Sequence, residues 1–107
     1  MGQRDKYRVA YAPTAYTDLD ELFAYIAHEL HEPDTAFNLI ERIEAFILKL
    51  QDFPYKAPIA RDALLANKGY RMLTVENFAV FYLVDDEKQA ISIRRIVYGK
   101  RNFQWLL

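Results

Sequence analysis

The sequence predicts an α+β fold with elements in the order β-α-α-β-β-β, a helical hairpin packed on one face of a largely antiparallel sheet. Three observations carry that expectation. Apolar residues recur at helical spacing in two consecutive stretches between Leu19 and Leu50, broken by Pro33. Three strand-like runs follow between Tyr70 and Tyr98, parted by short polar turns. A further strand-like run, Tyr7 to Tyr11, precedes both helices. At 107 residues the chain has room for one domain around one core, so residues 1–107 are read as a single domain.

Taken in order, Tyr7-Arg8-Val9-Ala10-Tyr11 alternates large and small side chains as a short strand, and Pro13 stops it. Thr14 or Thr17 can cap a first helix whose early turns carry Asp18, Asp20 and Glu21, where acidic groups suit the positive end of the helix dipole. Leu19, Leu22, Phe23, Ile26 and Leu30 form its apolar stripe. Pro33 cannot continue that helix but suits the first turn of a second. Phe37, Leu39, Ile40, Ile43, Phe46, Ile47 and Leu50 then form a wider apolar face, ended by Pro54.

Residues 55–68 lack a sustained period and read as a loop, with room for a helical turn at Ala63-Leu64-Leu65. Glu76-Asn77 reads as a tight hairpin turn in which Asn77 takes positive φ. Residues 85–89 make the next turn, and Gly99 ends the last strand. The three strands form a meander. The position of the N-terminal strand in that sheet does not follow from the sequence. Phe103, Trp105, Leu106 and Leu107 make the tail too apolar to be freely solvated, and it is expected to dock on the domain.

Composition narrows the function classes. Apolar residues make up 52% of the chain and charged residues 27%, the balance of a globular protein rather than a disordered one. The absence of cysteine excludes disulfides, thiolate metal sites and cysteine catalysis, and no metal or other cofactor is expected. The polar start and the lack of a long apolar run predict a soluble, cytoplasmic protein without a membrane span. A net charge of −1 hides an asymmetry: residues 1–54 carry five Lys/Arg against ten Asp/Glu, and residues 55–107 nine against five. A basic half can attract a polyanion or an acidic partner, although solvated surface Lys and Arg explain it equally on charge alone.

The element order and three C-terminal stretches carry a resemblance. They are Gly69-Tyr70-Arg71, then Val75-Glu76-Asn77-Phe78-Ala79-Val80-Phe81-Tyr82, then Arg95-Ile96-Val97-Tyr98-Gly99-Lys100-Arg101-Asn102. With Phe53-Pro54 after the second helix, they resemble the RelE/ParE superfamily of toxins from bacterial type II toxin–antitoxin systems. The resemblance implies a cytoplasmic toxin held in a hetero-oligomer by a cognate antitoxin. Its target would be either DNA gyrase, inhibited without catalysis, or ribosome-bound mRNA, cut by a metal-independent endoribonuclease. A relic that binds antitoxin without target activity is a third reading. Fold alone does not choose among them.

Metal-independent RNA cleavage needs a general base, a general acid and cations at the scissile phosphate. The two histidines, His28 and His31, fall at the end of the first helix and read as solvated helix-end residues. A Tyr/Arg set remains. The resemblance implies phosphate contacts for Arg71 and Arg101 and a catalytic position for Tyr98, with Lys56 and Arg61 adding charge from the loop. Against this, Arg71 has carboxylates in Asp62 and Glu76 with which to pair, and Tyr98 is one of eight tyrosines, any of which can be a sheet aromatic. Arg94 and Arg95 are adjacent and point apart in a regular strand, so Arg95 is expected to pair with a carboxylate of the first helix. Some RNA-cleaving members place a His before the final Tyr, where this chain has Val97. A pI of about 6.1 is also low for competing at a polyanionic ribosomal site. The closing stretch leans towards the ParE branch. Tyr70, Phe78 and Trp105 are candidate anchors for the antitoxin, each equally able to be core.

Overall fold

The computed structural model describes residues 6–99. β1 (Arg8–Tyr11) leads into α1 (Pro13–Ala24), which runs on as one π-helical turn over Tyr25–Glu29. α2 (Pro33–Leu48) ends in a 3-10 turn, Lys49–Gln51, and α3 (Ala63–Asn67) precedes β2 (Arg71–Val75), β3 (Phe78–Asp85) and β4 (Ala90–Tyr98).

Local chemistry explains most boundaries and corrects two expectations. α1 begins at Pro13 rather than beyond it: Pro occupies the first helical position, where a missing N–H costs nothing. Ala12 is the N-cap, and no side chain caps the helix. The Thr14 hydroxyl instead donates to the Arg94 carbonyl at 2.8 Å, and the Thr17 hydroxyl to the Pro13 carbonyl. Pro33 opens α2 as the sequence predicts. The short α3 is capped by Asp62, whose carboxylate accepts from the N–H groups of Leu64 and Leu65.

The sheet order is β1-β4-β3-β2, with β1 parallel to β4 and the other pairs antiparallel. The meander is therefore as expected, and the N-terminal strand closes its far side. β1 pairs only with residues 90–93 of β4. Beyond that point α1 takes over the β4 edge: Ala12 N–H donates to the Ile93 carbonyl, Thr14 to Arg94, and the Asp18 carboxylate accepts from Ile96 N–H. Backbone groups that a longer β1 would have paired are thus satisfied by the first turns of a helix.

The β2–β3 turn departs from expectation. Glu76, not Asn77, has positive φ, at 55°. Arg42 of α2 grips the Glu76 carboxylate at 2.6 and 3.2 Å, tying the turn to the hairpin and helping to hold a conformation that L residues disfavour. β4 carries a bulge: Phe81 faces Arg95 and Tyr82 faces Ile93, leaving Arg94 without a cross-strand partner on β3.

Both sheet faces are covered. The hairpin buries Leu19, Ile26, Leu39, Ile43 and Ile47 against Leu73, Val80, Tyr82, Ile91 and Ile93. On the opposite face α3 and its flanks bury Leu65, Ala60 and Tyr70 against Ala79, Phe81 and Val97. The helical spacing puts Phe37 and Phe46 in the apolar face of α2, but they are 60% and 39% exposed. Ala36, Leu39, Ile43 and Ile47 form the buried stripe instead, leaving both rings beside it. No helix among the described residues is long and apolar enough to cross a membrane.

Candidate functional site

The side chains singled out from the sequence fall at opposite ends of the sheet. Arg71 starts β2 in register with Tyr82, which faces Ile93. Tyr98 ends β4 opposite Phe78, which faces Val75. Four residue steps along β2, from Arg71 to Val75, separate the two rows, about 13 Å along the strands.

At the first end, Arg71 is committed to the fold. Its guanidinium donates to the Ala57 carbonyl at 2.6 Å and lies 4.7 Å from the centroid of the Tyr55 ring. Tyr82 donates its hydroxyl to the Pro54 carbonyl at 2.9 Å. Together they strap residues 54–57 onto the end of the sheet. The Tyr55 hydroxyl in turn donates to Asp86 at 2.5 Å, and Tyr7 donates to the other oxygen at 2.8 Å. Those two donors hold the Asp86 carboxyl below its ordinary value. The Tyr55 phenol is pushed up to about 12, chiefly because its proton is held by Asp86. Tyr7, Phe53, Tyr55 and Lys56 line an open cleft of about 750 Å³ here. Lys56 is exposed on it, and Arg61 is exposed further on, just before the Asp62 cap.

At the other end, Tyr98 is 57% exposed and meets the Phe78 ring edge-on, with centroids 5.3 Å apart. Its hydroxyl bonds no described residue. A groove of about 680 Å³ runs from Tyr98 past Tyr25 and Leu30 at the tip of the hairpin. Among the described residues two cations border it, each held by a carboxylate. Arg42 binds Glu76, and Arg95 binds Asp18 through Nε and a terminal nitrogen at 2.8 and 3.0 Å. The sequence predicts an Arg95 pair with a carboxylate of the first helix; that carboxylate is Asp18, and the pair is largely screened from water, with side chains 21% and 10% exposed.

The whole of residues 9–103 matches the model of the ParE toxin of the type II toxin–antitoxin system parDE. This chain belongs to the ParE toxin family. No curated protein matches it by sequence. Among solved structures it is similar to the chromosomal ParDE system of Pseudomonas aeruginosa, with TM-score 0.73 and 21% identity over 89% of this chain and 98% of that one. It is also similar to the RelBE2 toxin–antitoxin complex of Mycobacterium tuberculosis, with TM-score 0.61 and 23% identity over 87% and 98% of the two chains. The intact Escherichia coli RelBE complex aligns with TM-score 0.59 and 11% identity over 89% and 99%. At such identities the likeness is one of fold, the α+β architecture that the sequence predicts.

Within this ParE-family chain the expected Tyr/Arg set is divided. Arg71 is turned to Ala57 and Tyr55, away from the Tyr98 row, and the two side chains do not converge. Arg101 and Trp105 lie outside the described residues. Tyr70 and Phe78, named as antitoxin anchors, are core residues at 6% and 7% exposure, because each packs into one of the two clusters that cover the sheet. His28 and His31 are exposed at the hairpin turn, as expected. Sequence reasoning missed the Asp86 node joining Tyr7 and Tyr55, which are 79 and 31 residues away from it. No local pattern announces such a contact. No cluster of potential metal ligands occurs among the described residues.

Proposed function

We propose that this chain is the toxin of a type II toxin–antitoxin pair that acts by binding its target, DNA gyrase, and that a cognate antitoxin neutralises it. Family membership supports the toxin and its partner. The choice of a binding rather than a cutting mechanism rests on one observation: Arg71 is spent on the Ala57 carbonyl and the Tyr55 ring. A cation that must stabilise charge building on a phosphorane has to be aimed at that phosphate before the reaction begins. Arg71 is aimed at the protein's own loop. Tyr98, exposed and joined through its ring to Phe78, then serves as surface rather than as an acid or base.

The test compares two purified systems. Gyrase supercoiling is expected to fall as toxin is added, while translation in a cell-free extract continues. Undisturbed supercoiling at high toxin concentration, with translation stopped and mRNA cleaved, would replace this reading with ribosome-dependent RNA cleavage. The antitoxin is expected to restore supercoiling when added at equal molarity.

A further inference from the structure

The cleft beside Asp86 has walls fixed from three distant parts of the chain. Tyr7 comes from the start, its N–H donating to the Gln51 carbonyl and its hydroxyl to Asp86. Tyr55 comes from the loop after α2 and donates to the same carboxylate. Gln89 closes the β3–β4 turn, its N–H bound to the Asp86 carbonyl. Between Phe53 and Tyr55, Pro54 is buried and its carbonyl is held by Tyr82. Yet these bonds hold apolar surface in water, since Phe53 is 65% and Tyr55 47% exposed. The Arg71 guanidinium lies over the Tyr55 ring but does not line the cleft, so the cleft meets ring surface that Arg71 leaves open.

Two opposite charges, Asp52 and Lys56, line the same cleft. The Lys56 N–H donates to the Phe53 carbonyl, closing a tight turn that carries Lys56 back beside Phe53. Both charged side chains are exposed, and neither forms an ion pair with the other or with any described residue. We propose that this cleft binds a small zwitterion with a planar apolar body, an aromatic α-amino acid being the simplest such molecule. Lys56 receives its carboxylate and Asp52 its ammonium group, while Tyr7, Phe53 and Tyr55 meet its ring by offset or edge-on contact. A volume of about 750 Å³ lies within the range of small-ligand sites, where apolar walls supply contact and a few polar groups fix orientation. Walls already tied in place lose little freedom on binding. The charges also turn away neighbouring ligand classes. A nucleotide phosphate meets a single lysine with Asp52 and Asp86 at hand, and an organic cation meets that lysine itself. A molecule carrying both signs is matched at both ends. Such binding is independent of the gyrase reading above.

Calorimetric titration of the full chain with L-phenylalanine tests the site. A dissociation constant of about 1 mM or lower is expected for a ligand of this size. Tm is expected to rise by about 5 °C at roughly tenfold that concentration. 2-Phenylethylamine, which lacks the carboxylate, and 3-phenylpropanoate, which lacks the ammonium group, should each bind about fivefold more weakly. Lys56→Gln should remove the preference over the amine, and Asp52→Asn the preference over the acid, with circular dichroism unchanged in both. Amide shift changes on binding should centre on Asp52, Lys56 and Gln89. Absence of heat and of any Tm rise up to the solubility limit of the amino acid overturns the proposal. So do equal binding of all three compounds, preferences that survive both variants, and shifts centred on the Tyr98 end. Tighter binding of N-acetylphenylalanine amide, which has the ring and neither charge, also overturns it and assigns the cleft to an aromatic side chain of a protein partner.

Discussion

Single side chains carry unequal weight in this molecule, and burial decides which matter. Asp18 accepts three hydrogen bonds, two from Arg95 and one from the Ile96 N–H, at a site with little water. Asp18→Ala strands both donors, so it is expected to cost about 2–3 kcal/mol. A lower urea midpoint with an unchanged m-value would register that loss, and a midpoint matching the parent's would refute it. The Arg42–Glu76 pair has equally good geometry but lies in water, and its removal is expected to change the midpoint little. Asp86 gives a pH dependence. Its folded-state pKa is lowered by the Tyr55 and Tyr7 hydroxyls, so its contribution is complete above the ordinary carboxylate value and is lost as pH falls through the lower folded value. Tyr55 works in the other direction: its pKa is raised to about 12, so its share persists below the ordinary phenol value and disappears as pH rises towards 12. Asp86→Asn is expected to lower Tm at neutral pH, with the gap to the parent closing in acid. A gap of constant size from neutral to strongly acidic pH would show that the carboxylate charge is not what holds the two phenols.

Elements show where the sequence is legible and where it falls silent. The helix-period stripes, the proline openings and the polar turns are local signals, and the two long helices and the meander follow from them. Even the pairing of Arg95 with a carboxylate of the first helix could be anticipated, although the bulge at Arg94 breaks the regular alternation behind that expectation. Three things depended on tertiary contacts instead. The parallel seat of β1 depends on β4, whose paired residues lie 82 positions later in the chain. Phe37 and Phe46 share the periodicity of α2 with its buried residues, yet the sheet accepts only the Ala36–Ile47 stripe. The positive φ at Glu76 falls where its carboxylate meets an arginine 34 residues away. The cover on the second sheet face was also hidden, since α3 is five residues long and too short to be stable alone. Its anchor is Leu65, 1% exposed. Leu65→Ala is expected to cost about 3 kcal/mol and to free the α3 amides for exchange while the α1 and α2 amides stay protected. Equal loosening of both faces would mean that the two clusters do not melt separately.

At the scale of the whole molecule, the proposed binding mechanism rests on the division of the Tyr/Arg set. The Tyr98 and Arg71 rows lie at opposite ends of the sheet, and among the described residues both arginines bordering the Tyr98 groove are neutralised by carboxylates. A nuclease turns over, so a small amount destroys many messages. A binding toxin is consumed by its target. Inhibition of supercoiling is therefore expected to titrate, reaching completion near one toxin per binding site when gyrase is well above the dissociation constant. Tyr98→Phe keeps the ring against Phe78 and removes only a hydroxyl that no described residue uses, so it is expected to leave both fold and titration endpoint unchanged. Complete inhibition at a toxin-to-target ratio far below one, abolished by Tyr98→Phe, would identify a catalyst and overturn the binding mechanism. An endpoint that stays stoichiometric in parent and variant alike would place the activity in the shape of the surface.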